Sequence, residues 1–191
     1  MAAVAAVAPM QMLAVAQNRR KRQKKALKRR LKIRGQVIMH RIMFVCHGNI
    51  CRSPMAEFLF KDMVKKVGRE KDFEIASCAV TTEEIWNGVG APVYPPAKAE
   101  LLKHGVSCEG KRAQLLMAAD GEKYDLFLCM DDSNVRRAKN ILGVKNGEKC
   151  RKLLTYAGEN GDVADPWYTR NFTDTYRDIM RGLEGLLAAL D

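Results

Sequence analysis

A cysteine and an arginine stand six positions apart in the stretch FVCHGNICRSPMAEF, which covers residues 44–58. Cys46 ends an apolar run, and Arg52 precedes a Ser-Pro pair and a helical pattern. In a loop between a strand and a helix N-terminus, backbone N–H groups point at a common centre, and the helix dipole adds partial positive charge. Gly48 and Asn49 tolerate the unusual dihedral angles of such a concave loop. The pattern therefore predicts a cradle for a tetrahedral oxyanion.

The same residues predict a reaction at phosphorus. The guanidinium of Arg52 can bind two phosphate oxygens at once, and the positive field favours the thiolate of Cys46, which can attack the bound phosphate in line. An alkoxide or phenoxide leaves poorly unless it is protonated, and Asp165 in the sequence ADPWY is the candidate acid. Trp167 and Tyr168 follow it and are expected to flank an aromatic substrate. After transfer, the same carboxylate can take a proton from the hydrolysing water.

Strands alternate with helices along the rest of the chain. The predicted strands are residues 41–46, 73–80, 124–130 and 152–156, and the predicted helices are 54–67, 95–105, 131–143 and 173–190, the last capped by Thr173 or Asp174. Residues 81–94 are predicted to form a loop marked by Gly and Pro. This β-α-β-α order predicts an α/β fold, a parallel sheet with helices on both faces. Ligands bind at the carboxyl ends of strands in such folds, where the loop after the first strand lies.

The positive charge of the chain is confined to its beginning. Residues 19–34 hold 11 basic residues, and residues 1–34 contain no acidic one. Removing those 11 from the total of 33 basic residues leaves 22, equal to the 22 acidic residues. The sequence thus predicts a basic, disordered extension over 1–38 and one domain over 39–191, with Met39 or Met43 as an alternative functional start. A nucleic acid or an anionic membrane could contact residues 19–34, but only charge would support that, so we do not favour it.

Six cysteines lie at positions 46, 51, 78, 108, 129 and 150, without the spacing of a zinc site. The N-terminal apolar stretch precedes the basic run, which is the reverse of a secretory signal. We therefore expect free thiols in a reducing, cytoplasmic environment and no structural metal.

The motif VCHGNICRSPMAE resembles the signature of the low-molecular-weight protein tyrosine phosphatases, and the likeness extends from about residue 41 to 190. Further points of likeness are DPWY and LCMDDSN. The resemblance implies a four-stranded parallel sheet and hydrolysis of phosphotyrosine in protein substrates through a phosphocysteine intermediate, with no metal and no cofactor. It also implies Cys46 as nucleophile, Arg52 as phosphate clamp and Asp165 as general acid and base.

The resemblance assigns further roles around the loop. The phosphate-binding residues would be His47, Gly48, Asn49, Ile50, Cys51, Arg52 and Ser53, with Ser53 bonded to the thiolate. Asn49, Ser77 and His104 resemble the network that holds the loop in shape. Asp131 would neighbour Arg52, although it could equally be only a helix N-cap.

Several alternatives stay open at this point. Cys51 could merely pack, or could form a reversible disulfide with Cys46 under oxidation. Trp86 borders the site and either extends the substrate groove or covers apolar surface, and His47 has no firm role. Related arginine phosphatases carry Thr where Ile50 stands, and related arsenate reductases need closely spaced additional cysteines. A binding protein that uses the basic extension would leave the Cys-Arg-Asp set unexplained.

Overall fold

A central parallel sheet of four strands organises the part of the chain that the computed structural model describes, residues 39–190. In chain order the strands are β1 (His40–Cys46), β2 (Phe73–Ala79), β3 (Ile85–Trp86), β4 (Val89–Gly90), β5 (Leu126–Cys129) and β6 (Cys150–Lys152). The helices are α1 (Arg52–Lys66), α2 (Pro95–Lys103), α3 (Asp120–Lys123), α4 (Asp132–Gly147), α5 (Pro166–Thr169) and α6 (Phe172–Leu190). The sheet has the order β2-β1-β5-β6, and its neighbouring strands all run parallel. The predicted α/β fold with four parallel strands is confirmed.

Alternate side chains of β1 pack on opposite faces of this sheet. Ile42 and Phe44 belong to a buried cluster that includes side chains of α1, α2 and α6. Met43 and Val45 belong to a second buried cluster, which includes side chains of α4. A strand buried on both faces has a continuous apolar sequence, as residues 42–46 do. Helices therefore cover both faces, as predicted, and β1 delivers Cys46 to the carboxyl end of the sheet.

The fourth strand lies earlier in the sequence than predicted. It is β6, and most of the predicted strand 152–156 instead lies in a 3-10 helix, Leu153–Ala157. Leu153 and Leu154 are both buried in the cluster that contains α6. Successive strand residues point to opposite faces, so a strand could not place both side chains there.

The predicted loop 81–94 contains a short antiparallel hairpin made of β3 and β4. Asn87 and Gly88 form its turn with φ values of 50° and 77°. Asn-Gly is the preferred sequence for a two-residue hairpin turn with two positive φ angles, so the signal was present locally. The hairpin places Trp86 at its exposed end.

The last helix begins at Phe172, and its cap differs from the predicted Thr173 or Asp174. Asn171 precedes the helix, and its Oδ1 accepts hydrogen bonds of 3.1 Å from the backbone N–H groups of residues 173 and 174. Asn is among the preferred N-cap residues because its side chain satisfies such unpaired donors.

The predicted extension, residues 1–38 with its basic stretch 19–34, lies outside the described residues. Within residues 39–190, no helix combines the length and the apolar character needed to cross a membrane.

Candidate active site

The loop between β1 and α1 surrounds the Cys46 thiol with hydrogen-bond donors. The backbone N–H of Asn49 lies 3.3 Å from the Cys46 Sγ, and the Ser53 Oγ lies 3.0 Å from it. Asn49 has φ of 57°, a left-handed conformation that Asn tolerates better than most residues. Cys46 is 3% exposed. The loop thus places a buried sulfur within reach of the Asn49 N–H and of the Ser53 hydroxyl, which belongs to the first turn of a 15-residue helix.

The direction of the hydrogen bonds beneath the loop is determined by the Asn49 side chain. Its Oδ1 accepts the backbone N–H of Gln114 at 2.9 Å, which orients the amide. Its Nδ2 then donates to the Ser53 Oγ and the Ser77 Oγ, each at 2.8 Å. Because the Ser53 oxygen already accepts this bond, its own hydrogen can be donated to the Cys46 sulfur at 3.0 Å, which is closer than its other acceptor, the Cys78 carbonyl at 3.4 Å. Asn49, Ser53 and Ser77 therefore lie together, as predicted, in an arrangement that supports a thiolate.

A buried ion pair ends this network, and the sequence analysis did not predict it. Ser77 Oγ donates to the Glu57 Oε2 at 2.5 Å, and Lys111 Nζ lies 2.8 Å from the same oxygen. Lys111 also donates to the Ser77 carbonyl at 3.1 Å. Burial disfavours ionisation of Glu57, but the charge of Lys111 and its hydrogen bonds outweigh this and lower the pKa of the carboxyl group. The only sequence signal was a glutamate one turn after Ser53 on a largely buried helix.

The prediction that His104 belongs to this network is wrong. Its ring stacks on Tyr176 with a centroid distance of 3.7 Å, and its Nε2 lies 3.6 Å from the Glu100 carboxylate. His104 follows the last residue of α2, and its side chain is 35% exposed. Lys111, which lies farther along the chain, has the place in the network that was predicted for His104.

Arg52 lies between two carboxylates that come from different parts of the chain. Its Nη1 is 2.8 Å from the Asp131 Oδ2, and its Nη2 is 2.6 Å from the Asp165 Oδ2. The arginine side chain is 5% exposed. Burial opposes its charge, but the negative charges of Cys46 and of both aspartates raise the pKa of Arg52 above its usual value. The structure therefore brings Cys46, Arg52 and Asp165 together.

Asp131 both contacts Arg52 and caps a helix, the two possibilities that were predicted for it. Its Oδ2 pairs with Arg52, while its Oδ1 accepts the backbone N–H of Asn134 at 2.6 Å and caps α4. Because β5 ends at Cys129, two residues before Asp131, the cap connects the sheet edge to the arginine.

The rim of the loop consists of exposed side chains. The His47 ring points outward and contacts the Glu83 carboxylate at 2.9 Å. Three aromatic residues near the rim are more than half exposed: Trp86 at 60%, Trp167 at 57% and Tyr168 at 83%. The Asp165 Oδ1 accepts the Trp167 backbone N–H at 3.0 Å, so the acid caps the short helix α5 that carries both Trp167 and Tyr168.

The remaining loop residues differ in exposure. Gly48 is buried, and a Cβ at this position would lie 2.8 Å from the Glu84 Cγ. Ile50 is half-buried, and its carbonyl accepts the Tyr94 N–H at 2.9 Å.

Burial and the nearby Cys46 raise the pKa of the Cys51 thiol to about 12, so this thiol is protonated at neutral pH. A disulfide between Cys46 and Cys51 stays a prediction.

The fold and the loop together define a class of protein. A buried thiol lies at the carboxyl end of a parallel strand, under a helix N-terminus, beside an arginine that pairs with a carboxylate from a distant loop. This combination is that of a cysteine-dependent phosphatase with an α/β fold.

Sequence comparison gives the family. Residues 41–191 match the model of the low molecular weight phosphotyrosine protein phosphatase family, and the chain belongs to this family. The chain is 34% identical over 151 residues to the low molecular weight protein-tyrosine-phosphatase YfkJ of Bacillus subtilis, a match that covers 78% of this chain and 94% of that protein. It is 34% identical over 147 residues to PtpA of Staphylococcus aureus, covering 76% of this chain and 90% of the relative.

Two solved structures show the same fold. The crystal structure of YfkJ superposes with a TM-score of 0.74 and covers 83% of this chain and 97% of that one. The crystal structure of DARP, a Drosophila arginine phosphatase, is 25% identical, with a TM-score of 0.70 and coverage of 78% and 97%. The predicted family resemblance is confirmed.

Proposed function

We propose that this protein hydrolyses phosphotyrosine in protein substrates and that Cys46, Arg52 and Asp165 carry the reaction. The observation that supports this most directly is the placement of all three around one loop. The thiol is bonded beneath the loop, and the arginine contacts the carboxyl group of the candidate acid.

In the proposed first step, the Cys46 thiolate attacks phosphorus and the bond from phosphorus to the tyrosine oxygen breaks. The bound phosphate takes up the donors of the loop, and its oxygens replace the Asp165 carboxylate on the Arg52 guanidinium. Stabilisation of the developing charge by such fixed donors is usually the largest contribution to catalysis. The products of this step are a phosphocysteine and a tyrosine whose oxygen needs a proton.

Asp165 supplies that proton in the proposed mechanism. Released from Arg52, its carboxyl group lies at the mouth of the loop, where the leaving oxygen of a bound ester would be. General acid catalysis of this kind contributes about 10²–10⁴-fold. In the second step the Asp165 carboxylate takes a proton from water as the water oxygen attacks the phosphorus of the phosphocysteine. The bond from phosphorus to sulfur breaks, which releases phosphate and restores the Cys46 thiolate and the protonated acid.

The rim favours an aromatic phosphoester. Trp86, Trp167 and Tyr168 expose aromatic surface beside the loop, which can pack on a tyrosine ring. Ile50 brings an apolar branched side chain to the loop, which should narrow the pocket against a branched guanidinium. These features support phosphotyrosine over phosphoarginine.

Dephosphorylation of arginine and reduction of arsenate are the two alternative reactions. Arginine dephosphorylation is supported by the similarity to DARP, and it would use the same thiol. Arsenate reduction would need a closely spaced pair of additional cysteines. Cys78, Cys129 and Cys150 pack in one buried cluster, whereas Cys51 and Cys108 pack with the nucleophile in the other. The shortest separation among these five cysteines along the chain is 21 residues, so no two of them form such a pair.

We further propose that residues 39–191 form the catalytic domain and that residues 1–38 are an appended extension. The family match over residues 41–191 supports this division. A reducing, cytoplasmic location is also proposed, and it is supported by the six cysteines, each of which is a free thiol.

A comparison of three substrates tests the function. Wild-type protein is assayed with a phosphotyrosine peptide, a phosphoarginine peptide, and arsenate with a thiol reductant, all with EDTA present. Phosphotyrosine should be the preferred substrate. Cys46→Ser should abolish turnover while calorimetry still detects binding of the phosphotyrosine peptide, and Ile50→Thr should shift the ratio of kcat/KM values toward phosphoarginine.

Each other outcome has a definite meaning. Full activity of Cys46→Ser would end the proposed mechanism. Preference of the wild type for phosphoarginine would keep the mechanism and overturn the specificity. Turnover of arsenate alone would overturn the assignment of the reaction.

A further inference from the structure

The segment that carries Asp165 has no regular secondary structure of its own. Residues 159–165 connect the end of the 3-10 helix Leu153–Ala157 to α5. Yet Asp165 must lie close to the leaving oxygen of a substrate bound at a loop that belongs to β1 and α1. The contacts that hold this segment therefore determine where the acid lies.

Two side chains of α6 bind both backbone groups of Ala164, the residue before the acid. Asp178 Oδ2 accepts the Ala164 N–H at 2.9 Å, and Thr175 Oγ donates to the Ala164 carbonyl at 2.9 Å. The Thr175 hydroxyl also lies 3.3 Å from the Asn171 carbonyl, a longer contact within the helix. Thr175 is fully buried, so its hydroxyl has no access to water as an alternative partner.

The α6 contacts extend to the other end of the segment. Arg181 binds both carboxylate oxygens of Glu159, at 3.0 and 3.2 Å, and pairs with the Asp178 Oδ1 at 2.9 Å. Thr175, Asp178 and Arg181 are spaced three residues apart, so they share one face of the helix. One helix face thus holds the segment near both of its ends.

The sheet holds the neighbouring residue. The Val163 N–H donates to the Met130 carbonyl at 2.8 Å, and the Val163 side chain is 1% exposed. Met130 directly precedes Asp131, which contacts Arg52. The two residues before Asp165 are therefore held from two sides, Val163 by the residue next to the arginine's partner and Ala164 by α6.

We propose that Thr175 and Asp178 are positioning residues for the general acid. Their bonds to Ala164 set the distance between the Asp165 carboxyl group and the leaving oxygen of the bound ester, while the thiol and the arginine are positioned independently by β1 and α1. The inference rests on the proposed function, because it takes Asp165 to be the acid. Thr175 and Asp178 would contribute to the departure of poor leaving groups and not to phosphate binding.

The experiment measures kcat/KM for aryl phosphates whose phenols range from acidic (2,4-dinitrophenyl phosphate) to weakly acidic (phenyl phosphate). Thr175→Val and Asp178→Ala remove the bonds to Ala164. Both should lower kcat/KM for phenyl phosphate by about 10- to 100-fold, since small misplacement of a catalytic group has effects of this size. The most acidic leaving group should change by less than about 2-fold because it needs no proton. Inhibition by inorganic phosphate should be unchanged in both variants.

Matched variants distinguish a loss of positioning from a general loss of stability. Thr175→Ser keeps the hydroxyl and Asp178→Asn keeps an acceptor, so both should restore most of the activity on phenyl phosphate. Arg177→Ala is the helix control, because this arginine is 68% exposed and pairs only with Asp174 among the described residues. It should match the wild type across the series.

The Asp165→Asn variant distinguishes failure of this inference from failure of the proposed function. If Asp165→Asn loses activity equally on all leaving groups, the acid role fails and the inference fails with it. If Asp165→Asn shows the selective loss but Thr175→Val and Asp178→Ala lose activity uniformly or not at all, the positioning role is overturned and the function stands. Should Thr175→Val fail to fold, the comparison of Asp178→Ala with Asp178→Asn decides the matter by the same criterion.

Discussion

The Arg52 side chain makes two separate ion pairs at this site. Its two terminal nitrogens contact two different carboxylates, Asp131 at 2.8 Å and Asp165 at 2.6 Å. A planar guanidinium offers donors in a fixed fork, whereas an ammonium group is a single point of charge. The geometry therefore requires the shape of arginine in addition to its charge.

Arg52→Lys should consequently disable the enzyme although the charge is kept. We expect kcat/KM for a phosphotyrosine peptide to fall by about 10²-fold or more, a typical effect of losing one donor to a developing oxyanion. Steady-state kinetics measures this, with Arg41→Lys as the control. Arg41 lies near the opposite end of β1, is 46% exposed and pairs with Glu74. Equal activity of the two variants would show that charge alone suffices at Arg52.

Helix α1 contributes a buried carboxylate, that of Glu57, to the site in addition to its N-terminus. The predicted helix 54–67 included Val67, but α1 ends at Lys66 and Val67 is 54% exposed. The observed buried residues include a continuous run from Arg52 to Glu57, since the first turns are enclosed beneath the phosphate loop. Glu57 is thereby buried, and the Lys111 side chain, 9% exposed, is its main counter-charge.

The ion pair between Glu57 and Lys111 predicts a pH-dependent stability. The pKa of Glu57 in the folded protein is below its usual value of 4.5, so the stabilisation is present above that pH and is lost as the pH falls through the folded-state pKa. Lys111→Met leaves the buried carboxylate with only the solvent-exposed Lys61 as a counter-charge, and it should lower the free energy of unfolding at pH 7 by about 3 kcal/mol. The deficit should shrink near pH 4, where the carboxyl group of the variant can be protonated.

Urea unfolding at both pH values measures this effect. Lys61→Met is the matched control, because Lys61 contacts the other oxygen of Glu57 from a position that is 43% exposed. Solvent screens such a contact, so the loss should be no more than about 1 kcal/mol. Equal losses for the two lysines, or a pH-independent deficit for Lys111→Met, would contradict the assignment.

The excess positive charge and the candidate catalytic residues lie in different parts of the chain. The net charge of +11 comes from residues 19–34, while the rest of the chain has equal numbers of acidic and basic residues. The candidate catalytic residues lie within the family match, residues 41–191. The basic stretch is therefore not required by the proposed chemistry.

Removal of residues 1–38 should leave catalysis intact. We expect kcat and KM for a phosphotyrosine peptide to stay within about 2-fold of the full-length values, because no proposed step involves the missing residues. Steady-state kinetics and thermal unfolding of the two forms in the same buffer measure this. A loss of activity or of folding in the shorter form would overturn the proposed domain division.

The features that depend on neighbours along the chain follow from the amino-acid sequence alone. Cys46 and Arg52 are joined by one short loop, and a strand that leads through Gly-Asn into Ser-Pro has few ways to fold, so local geometry suffices to predict the cradle. The alternation of strands and helices likewise predicts a parallel sheet covered on both faces, because each βαβ unit follows from its own local pattern. Asp165 was predicted from its Pro and aromatic neighbours and from family resemblance.

The identity of the distant side chains that complete the site depends on the packing of the folded chain. Lys111 rather than His104 reaches the network, and Thr175 and Asp178 bind the residue before the acid. These contacts depend on how far α1 and α6 lie from the sheet and how each helix is rotated about its axis. Those quantities result from the packing of both buried clusters as a whole, and a difference of one residue in spacing or rotation would bring other side chains to the same place.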